Sequence, residues 1–285
     1  MSVVFTMPGK CGDALHQWPI VYHWAKQTGK KCEIWMDEKS CAPLVPLFEA
    51  QNGVETVKLM GGVEGYGCGG QPFHMNLPTS AFEGHTIYHL GLRGFPQRQL
   101  TLECLGNAKV PISVDPKTLA TETSLAVSVP AKYNRLVLHG QATCPHTNGT
   151  PTFWQFLHSV RRELEAMFDQ IVFVGSERDR EVSLRTYPNW VGFIDNGDFM
   201  KLAEYIAASR AMIGVGSSPI VLAGLLNIPA VRVHDPIGND APKSIWNNLA
   251  ENNLNATAIE LRKLWPEWRD KWLTTKDVDS SAGVS

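Results

Sequence analysis

The feature that most constrains the fold is an alternation of short apolar, β-branched runs with stretches of helical spacing. Runs such as "SVVFTM" (Ser2 to Met7) and "CEIWM" (Cys32 to Met36) predict buried strands. Between them, apolar residues recur at helical spacing from Asp13 until Thr28 and Gly29, which predict the end of the helix. Because strands that alternate with helices favour a parallel sheet, we expect an α/β protein.

The alternation continues in a first lobe and starts again near residue 135. In the first lobe we predict a helix over 43–49 and strands over 55–60 and 86–90. The second lobe has predicted strands over 135–140, 170–175, 211–216 and 230–233, and predicted helices over 154–168, 198–208 and 220–226. In the first lobe, between the strands predicted over 55–60 and 86–90, the stretch 61–70 has six glycines in ten residues and is predicted to be either a linker or an active-site loop.

Chain length supports two units, because 285 residues are many for one core and domains typically hold roughly 100 to 200. We therefore predict two Rossmann-like lobes with a cleft between them. The first covers residues 1–130 and the second residues 131–257. A helix over 258–273 is expected to pack back on the lobes, and residues 274–285 are expected to form a disordered tail.

Charge and composition disfavour several classes of protein. The net charge is −2 and no run of Lys or Arg exceeds two residues, so a nucleic-acid partner stays open but is not favoured. No apolar run is long enough to span a bilayer, and the amino terminus lacks signal-peptide features, which predicts a cytoplasmic protein without a membrane span. The six cysteines show no paired spacing, so free thiols are expected rather than zinc sites or disulfides.

Familiar catalytic motifs are absent from the sequence. It contains no G-x-G-x-x-G after the first strand, no G-x-x-x-x-G-K-[ST], no H-E-x-x-H and no G-x-S-x-G. These absences disfavour a dinucleotide-dependent dehydrogenase, a P-loop nucleotidase, a zinc metalloprotease and an α/β-hydrolase.

The loop after the first strand carries the first candidate site. In an open α/β sheet, ligands bind outside the carboxyl ends of the strands. The stretch "GKCGDALHQWP" places Asp13 at such an end, beside Gly12 and three residues before His16. Asp13 is either a helix cap or a general base, and His16 is positioned to orient an acceptor or a sugar hydroxyl. The residues alone leave both roles of Asp13 open.

The second candidate is "GVGSSPIVLAG", residues 214 to 224, where a strand ends in Gly216, Ser217 and Ser218 before Pro219. Serine followed by proline is typical of a helix start. The exposed N–H groups of such a start, with two hydroxyls and the helix dipole, can bind a diphosphate. A plain serine-capped helix is the alternative.

The third candidate is the stretch 139–151, which follows the strand that opens the second lobe. It has no Lys or Arg but offers neutral groups for a phosphate or sugar, among them His139, Thr147 and Thr150. Nearby, Glu177 follows another strand, where a carboxylate can bind ribose hydroxyls. An ordinary solvated loop and a second helix cap are the respective alternatives.

Together these motifs resemble a known family. "GDALHQWP" (Gly12 to Pro19) resembles the "GD-x-L-H-x-x-P" element of the heptosyltransferase-like glycosyltransferases, which have the two-lobed GT-B fold. The second lobe is similar in the order "LHG", a polar loop, a tryptophan-bearing helix, "VFVGSERDRE" and the long stretch from Asp195 to Pro236. The resemblance covers most of the chain and is weakest over 61–132.

The resemblance implies inverting transfer of a sugar from a nucleoside diphosphate donor to a glycan or another hydroxyl acceptor. Asp13 would deprotonate the acceptor hydroxyl. The donor diphosphate would lie at the helix start around Ser217 and Ser218, and no metal or other cofactor would be needed because the helix dipole and N–H groups stabilise the leaving group.

The sequence departs from the family at the donor side. The family has Asp-Thr/Ser-Gly-x-x-His where this chain has residues 216 to 221, so Gly216 and Val221 replace the aspartate and the histidine. The family's lysine after the strand that opens the second lobe is also missing over 140–151. The donor is therefore left open. Two alternatives also remain, a glycosyltransferase that acts on hydroxymethylated DNA bases and a non-catalytic nucleotide- or sugar-binding protein.

Overall fold

The first half of the chain folds around a four-stranded parallel sheet. The computed structural model describes residues 2–61, 77–90, 109–115, 118, 122–129, 131–140, 150–176, 179, 191–195, 198–234 and 253–274. Its first sheet has the strand order β3-β2-β1-β4, formed by β1 (Ser2–Met7), β2 (Cys32–Asp37), β3 (Val54–Met60) and β4 (His85–His89). The order reverses beside β1, so the carboxyl end of β1 is where a ligand crevice is expected.

The second half forms a six-stranded parallel sheet with the order β10-β9-β8-β5-β6-β7. Its strands are β5 (Tyr133–His139), β6 (Gln170–Gly175), β7 (Gly192–Asp195), β8 (Ser209–Val215), β9 (Ala230–His234) and β10 (Asn253–Thr257). Here the order reverses between β5 and β8, at the point from which the chain builds outward in both directions. The predicted α/β class with two Rossmann-like lobes is confirmed, while the exact boundary between the lobes stays a prediction.

Helices connect the strands. They are α1 (Cys11–Thr28), α2 (Glu38–Cys41), α3 (Val45–Glu49), α4 (Thr150–Met167), α5 (Phe199–Ala207), α6 (Ser218–Leu225) and α7 (Ala258–Thr274), with short 3₁₀ turns at Ala42–Leu44 and Thr79–Phe82. Gly29 ends α1 in the left-handed conformation that the sequence predicts. Asp198 caps α5 by accepting from the N–H of Met200 at 2.9 Å.

Several boundaries differ from the predictions. Helix α1 begins two residues before Asp13, so this aspartate lies inside the first turn. The predicted helix over 43–49 is broken into a 3₁₀ turn and α3, each with a proline near its start. Strands β7 and β10 were not predicted. Each has only four or five residues and lies at an edge of the sheet, where polar sequence such as "NLNAT" is tolerated.

One continuous apolar cluster joins the two lobes. It includes Phe5 and Ile34 of the first sheet and Met212 of the second, packed with the buried faces of α1 and α6. Leu15 of α1 and Leu222 of α6 are both fully buried in it. The lobes are therefore in direct contact along these two helices, and the amino termini of the helices are fixed relative to each other.

The opposite face of the second sheet is covered by α4 and α7. Trp265 of α7 packs edge-to-face against Phe156 with ring centroids 5.7 Å apart, and its indole N–H donates to Glu163 at 2.7 Å. The helix continues through Pro266. In the part of the chain that is described, no helix is long and apolar enough to cross a membrane. The glycine-rich stretch from 62 to 70 and the tail from 275 to 285 lie outside the described residues.

Candidate active site at the junction of the two lobes

The turn between β1 and α1 holds Asp13 against the backbone of Gly9. Gly9 has a φ of +113°, a conformation that side chains rarely adopt. A Cβ on Gly9 would lie 2.5 Å from Asp13 Cβ and 2.7 Å from its Oδ2. Glycine is therefore required here for two reasons, the backbone conformation and the space taken by the Asp13 carboxylate.

Hydrogen bonds fix this turn from both sides. Gln17 donates its side-chain amide to Pro8 O at 2.9 Å, and the Cys41 thiol donates to Gly9 O at 3.3 Å. The Cys11 thiol donates to Ser40 O at 3.0 Å, which ties the start of α1 to α2. The turn is thus rigid, and so is the position of the carboxylate that it carries.

Asp13 both caps the helix and keeps one oxygen available. Its Oδ2 accepts from the N–H of Lys10 at 2.9 Å, the only hydrogen bond that the Asp13 side chain makes to a described residue. Burial of the carboxyl group raises the pKa of Asp13, and the Lys10 N–H and charge oppose this only partly. A carboxylate with a raised pKa and a free oxygen has the properties of a general base.

The turn between β8 and α6 presents the start of a second helix. Ser217 is the N-cap residue of α6 and Pro219 stands in the first turn, as the sequence predicts. The Ser217 hydroxyl makes no capping bond and instead donates to Val215 O at 3.3 Å. The amino terminus of α6 therefore keeps its positive end without a side-chain cap, as an anion site requires.

The two turns meet where the lobes join. A Cβ on Gly12 would lie 3.7 Å from Ser218 N and 3.8 Å from Ser218 Cα. The first turn of α1, which carries Asp13, is thus in van der Waals range of the first turn of α6. Gly12 and Ser218, more than 200 positions apart in sequence, are thus neighbours at the carboxyl ends of β1 and β8, where a ligand is expected.

Arg232 lies beside this junction and was not identified from the sequence. It is in β9, in register with Gly214 of β8, and is only 9% exposed. A Cβ on Gly216 would lie 2.6 Å from its Nη2 and 2.9 Å from its Nε. The guanidinium therefore occupies the space beside residue 216, where the resembling family has an aspartate side chain.

The positive charge of Arg232 also acts on His16. This histidine lies on α1 one turn after Asp13 and is 8% exposed. Burial, together with the positive charge of Arg232, lowers the pKa of His16 to about 3. The imidazole is therefore neutral at physiological pH and, with this low pKa, too weak a base to compete with Asp13 for the proton of an acceptor.

The third candidate stretch is described only in part. His139 ends β5, is 5% exposed and donates from Nδ1 to Val174 O at 2.7 Å, while its ring stacks on Phe173. These contacts hold its ring within the sheet, and its role in donor binding stays a prediction. Thr150 is the first residue of α4, and its side chain lies outside the described part, as do Thr147 and Glu177.

A second aspartate, Asp179, follows β6 two residues after Glu177. Asp179 Oδ2 accepts from the N–H and from the hydroxyl of Ser176, both at 2.8 Å. Among the described residues, no group of three or more His, Cys, Asp or Glu side chains is arranged to hold a metal ion.

Solved structures with a similar architecture include glycosyltransferases and the UDP-GlcNAc 2-epimerase of Methanocaldococcus jannaschii. No model of a known protein family matches the sequence, and no curated protein matches it at a significant level. The fold is similar to that of E. coli ADP-heptose LPS heptosyltransferase II, with a TM-score of 0.64, 12% identity, and 98% of this chain and 100% of that one covered.

Two further structures show the same similarity. E. coli heptosyltransferase WaaC with ADP gives a TM-score of 0.65 at 13% identity, over 94% of this chain and 99% of that one. The glycosyltransferase family 9 protein of Veillonella parvula gives 0.65 at 12% identity, over 98% and 90%. The chain has the heptosyltransferase fold. The resemblance drawn from "GDALHQWP" is thus confirmed at the level of the fold.

Proposed function

We propose that the protein is an inverting glycosyltransferase that moves a sugar from a nucleoside diphosphate donor to a hydroxyl acceptor. The observation that carries the proposal is the contact between Gly12 and Ser218. It brings a partly buried carboxylate of one lobe to the uncapped helix amino terminus of the other, within a fold shared with glycosyltransferases. A base and an anion site on opposite lobes are the two groups that such a transfer needs.

Asp13 is the proposed base. The acceptor hydroxyl gives its proton to the free carboxylate oxygen of Asp13 while the acceptor oxygen attacks the anomeric carbon. The bond from that carbon to the phosphate oxygen breaks, and the electron pair leaves with the diphosphate. The Lys10 N–H keeps Oδ2 in place throughout. Capping and catalysis are therefore compatible, because they use different oxygens of one carboxylate.

The start of α6 is the proposed site of the leaving diphosphate. Its helix dipole and N–H groups favour an anion, and the Ser217 and Ser218 hydroxyls can donate to phosphate oxygens. Because the field is preorganised, it stabilises charge that develops on the leaving group without reorganisation. Independence from metal is part of the proposal, and transfer that persists in excess EDTA tests it.

The acceptor is proposed to lie against the first lobe, near Gly12 and His16. Gly12 has no side chain, so the start of α6 approaches the first turn of α1 closely, and an acceptor held at this turn lies next to the donor site. His16 is neutral and buried, and it is proposed to orient a hydroxyl rather than to take its proton. We infer a soluble cytoplasmic enzyme, and a glycan is the favoured acceptor.

Donor identity is tested first. A thermal-shift screen against ADP-heptose and other ADP-, UDP-, GDP-, CMP- and dTDP-sugars finds the donor, because a ligand of the native state raises Tm. The donor is then incubated with candidate acceptors, and release of the nucleotide and the anomeric configuration of the product are measured. We expect release above background and inversion. Retention of configuration would contradict the assignment of Asp13 as base.

The two alternatives give different results in the same experiment. Transfer to duplex DNA that carries a hydroxymethylated base, but to no glycan, would identify a DNA-modifying enzyme. Donor binding without release of nucleotide, with any acceptor tested, would identify a binding protein.

A further inference from the structure

The second lobe contains two buried arginines whose surroundings differ. Arg135 in β5 is 8% exposed and Arg232 in β9 is 9% exposed. Arg135 donates from Nε to Gln170 at 2.9 Å, and its guanidinium lies over the rings of Tyr205 at 3.9 Å and Tyr133 at 4.7 Å. Its Nε and its charge thus have partners within the second lobe.

Arg232 has no comparable partners among the described residues. Its Nε is fully buried and makes no hydrogen bond, and no carboxylate of the described residues forms an ion pair with it. Burial lowers the pKa of Arg232 to about 10, so the side chain is still a cation at neutral pH. A buried charge without a partner destabilises the fold, so it is expected to be retained for a ligand.

The guanidinium is directed at the proposed donor site. It packs on the α-carbon of Gly216, one residue before the N-cap of α6, and it acts electrostatically on His16 of α1. Because His16 is neutral, it adds neither a second positive charge nor a counter-ion for Arg232. Arg232 and the amino terminus of α6 therefore add two positive contributions at one place, which favours an oxyanion.

We propose that Arg232 is the residue that binds an oxyanion group of the donor at the carboxyl end of β8. This inference rests on the proposed function and names a residue that the sequence motifs did not reveal. A guanidinium presents parallel N–H groups that match two oxygens of a phosphate or carboxylate. The phosphoryl oxygens of the diphosphate are the favoured group, and a carboxylate on the sugar shares the same chemistry.

Gly216 is part of the same arrangement. Any side chain at this position would require Arg232 to move, since the guanidinium atoms lie within 3.1 Å of a Cβ built there. The absence of a side chain at Gly216, where the resembling family has an aspartate, thus leaves the space that the Arg232 guanidinium occupies.

The test compares Arg232→Met with Arg135→Met in the full-length protein. Tm is measured without ligand and with inorganic pyrophosphate, ADP, UDP and GDP, and affinities are measured by titration calorimetry. We expect Arg232→Met to have a Tm equal to or above that of the wild type, and to bind pyrophosphate or the preferred diphosphate roughly 10- to 100-fold more weakly. Arg135→Met should lower Tm and leave affinity unchanged in the folded protein.

Two further variants separate charge from position. Gly216→Ala keeps the charge but displaces the guanidinium, and we expect it to weaken anion binding as Arg232→Met does. Arg232→Lys keeps a point charge without the paired N–H groups, and we expect partial retention. Wild-type affinity in Gly216→Ala would contradict the assigned position.

A matched donor pair, UDP-glucuronate and UDP-glucose, distinguishes the two sources of the oxyanion. If Arg232→Met binds diphosphates normally but loses only its affinity for UDP-glucuronate, the group is the sugar carboxylate. A lower Tm with unchanged affinity for pyrophosphate, diphosphates and both donors would overturn the inference. The proposed function would stand in that case, because Asp13→Asn tests it separately; conversely, Arg232-dependent anion binding without any transfer would refute the function alone.

Discussion

Two strand ends, one in each lobe, share the same local arrangement but differ in what surrounds them. After β1, Lys10 N–H donates to Asp13 Oδ2 at 2.9 Å, and after β6, Ser176 N–H donates to Asp179 Oδ2 at 2.8 Å. In both places the aspartate side chain also lies close to a glycine. A Cβ on Gly9 would be 2.5 Å from Asp13 Cβ, and a Cβ on Gly175 would be 3.2 Å from Asp179 Cβ.

The surroundings separate the two aspartates. The helix that carries Asp13 begins against Ser218 of the other lobe, whereas Asp179 Oδ2 is also bonded by the hydroxyl of its own neighbour Ser176. The cap itself is therefore no mark of catalysis. The chemical role proposed for Asp13 rests on the helix amino terminus of the second lobe, which meets the first turn of α1.

The largest difference between the two sites is expected in turnover. Asp13→Asn keeps the shape of the side chain but removes the base, which should lower kcat by roughly 100- to 10,000-fold. Asp179→Asn should leave kcat within about twofold, because its bonds are local. Steady-state release of nucleotide from both variants checks this, and equal losses in the two would remove the distinction drawn here.

Substitution of Gly9, with Gly175 as the control, tests how far activity depends on the exact position of the Asp13 carboxylate. Gly9→Ala meets both a φ of +113° and the Asp13 side chain, so we expect a loss of about 1 to 3 kcal/mol in the free energy of unfolding. Displacement of the base should also lower kcat by roughly 100-fold. Urea denaturation and turnover are measured together.

Gly175→Ala is the matched control. Its added methyl would lie 2.7 Å from Phe173 Cε1, so it should also destabilise the fold. Turnover of the folded fraction should be unchanged. A Gly9→Ala variant with wild-type turnover would show that the position of Asp13 is not critical.

The pH dependence should show Asp13 acting in opposite directions on activity and stability. Because its pKa is raised in the folded state, the folded protein holds this proton more tightly than the unfolded chain. The protonated carboxyl therefore contributes stability below pH about 3.8, the ordinary pKa of aspartate, and this contribution is lost as the pH rises through the higher pKa of the folded state. Over the same pH range kcat/KM rises, because the carboxylate that acts as base is formed.

Asp13→Asn serves as the reference for that profile, since its amide does not titrate. The difference in unfolding free energy between wild type and variant is measured against pH. We expect it to shift in favour of the variant as pH rises through this window. A difference that stays constant with pH would mean that burial does not perturb Asp13.

The smallest effect is expected from removal of the Asp179 carboxylate, which caps the turn after β6 and serves as the control for Asp13. Asp179→Ala loses the bonds from the N–H and hydroxyl of Ser176 and should destabilise the protein by about 1 kcal/mol. Donor affinity and kcat should not change. A marked loss of donor affinity would place Asp179 in the site and weaken the contrast with Asp13.

Local sequence rules predicted much of this architecture. Apolar runs and helical spacing located eight of the ten strands, and the strand-end rule selected Asp13 and Ser217. Each of these signals lies within one short segment. Strand β10 was missed because "NLNAT" has no apolar alternation and forms a strand only by pairing with β9.

Arg232 was missed for a different reason. An arginine in the middle of the apolar strand "AVRV" was a signal, because a strand of a covered parallel sheet is expected to be apolar on both faces. The sequence does not show that this position lies beside Gly216, or that Gly12 meets Ser218. Those contacts depend on how the sheets are ordered and how α1 packs on α6.

The most direct test of the central claim measures binding and chemistry on the same sample of Asp13→Asn. Donor affinity is obtained by titration calorimetry, and transfer is then followed in a single turnover with acceptor in excess. We expect a donor Kd within about twofold of the wild type and a transfer rate at least roughly 100-fold lower. Transfer at the wild-type rate with normal donor binding would contradict the assignment of Asp13 as the base.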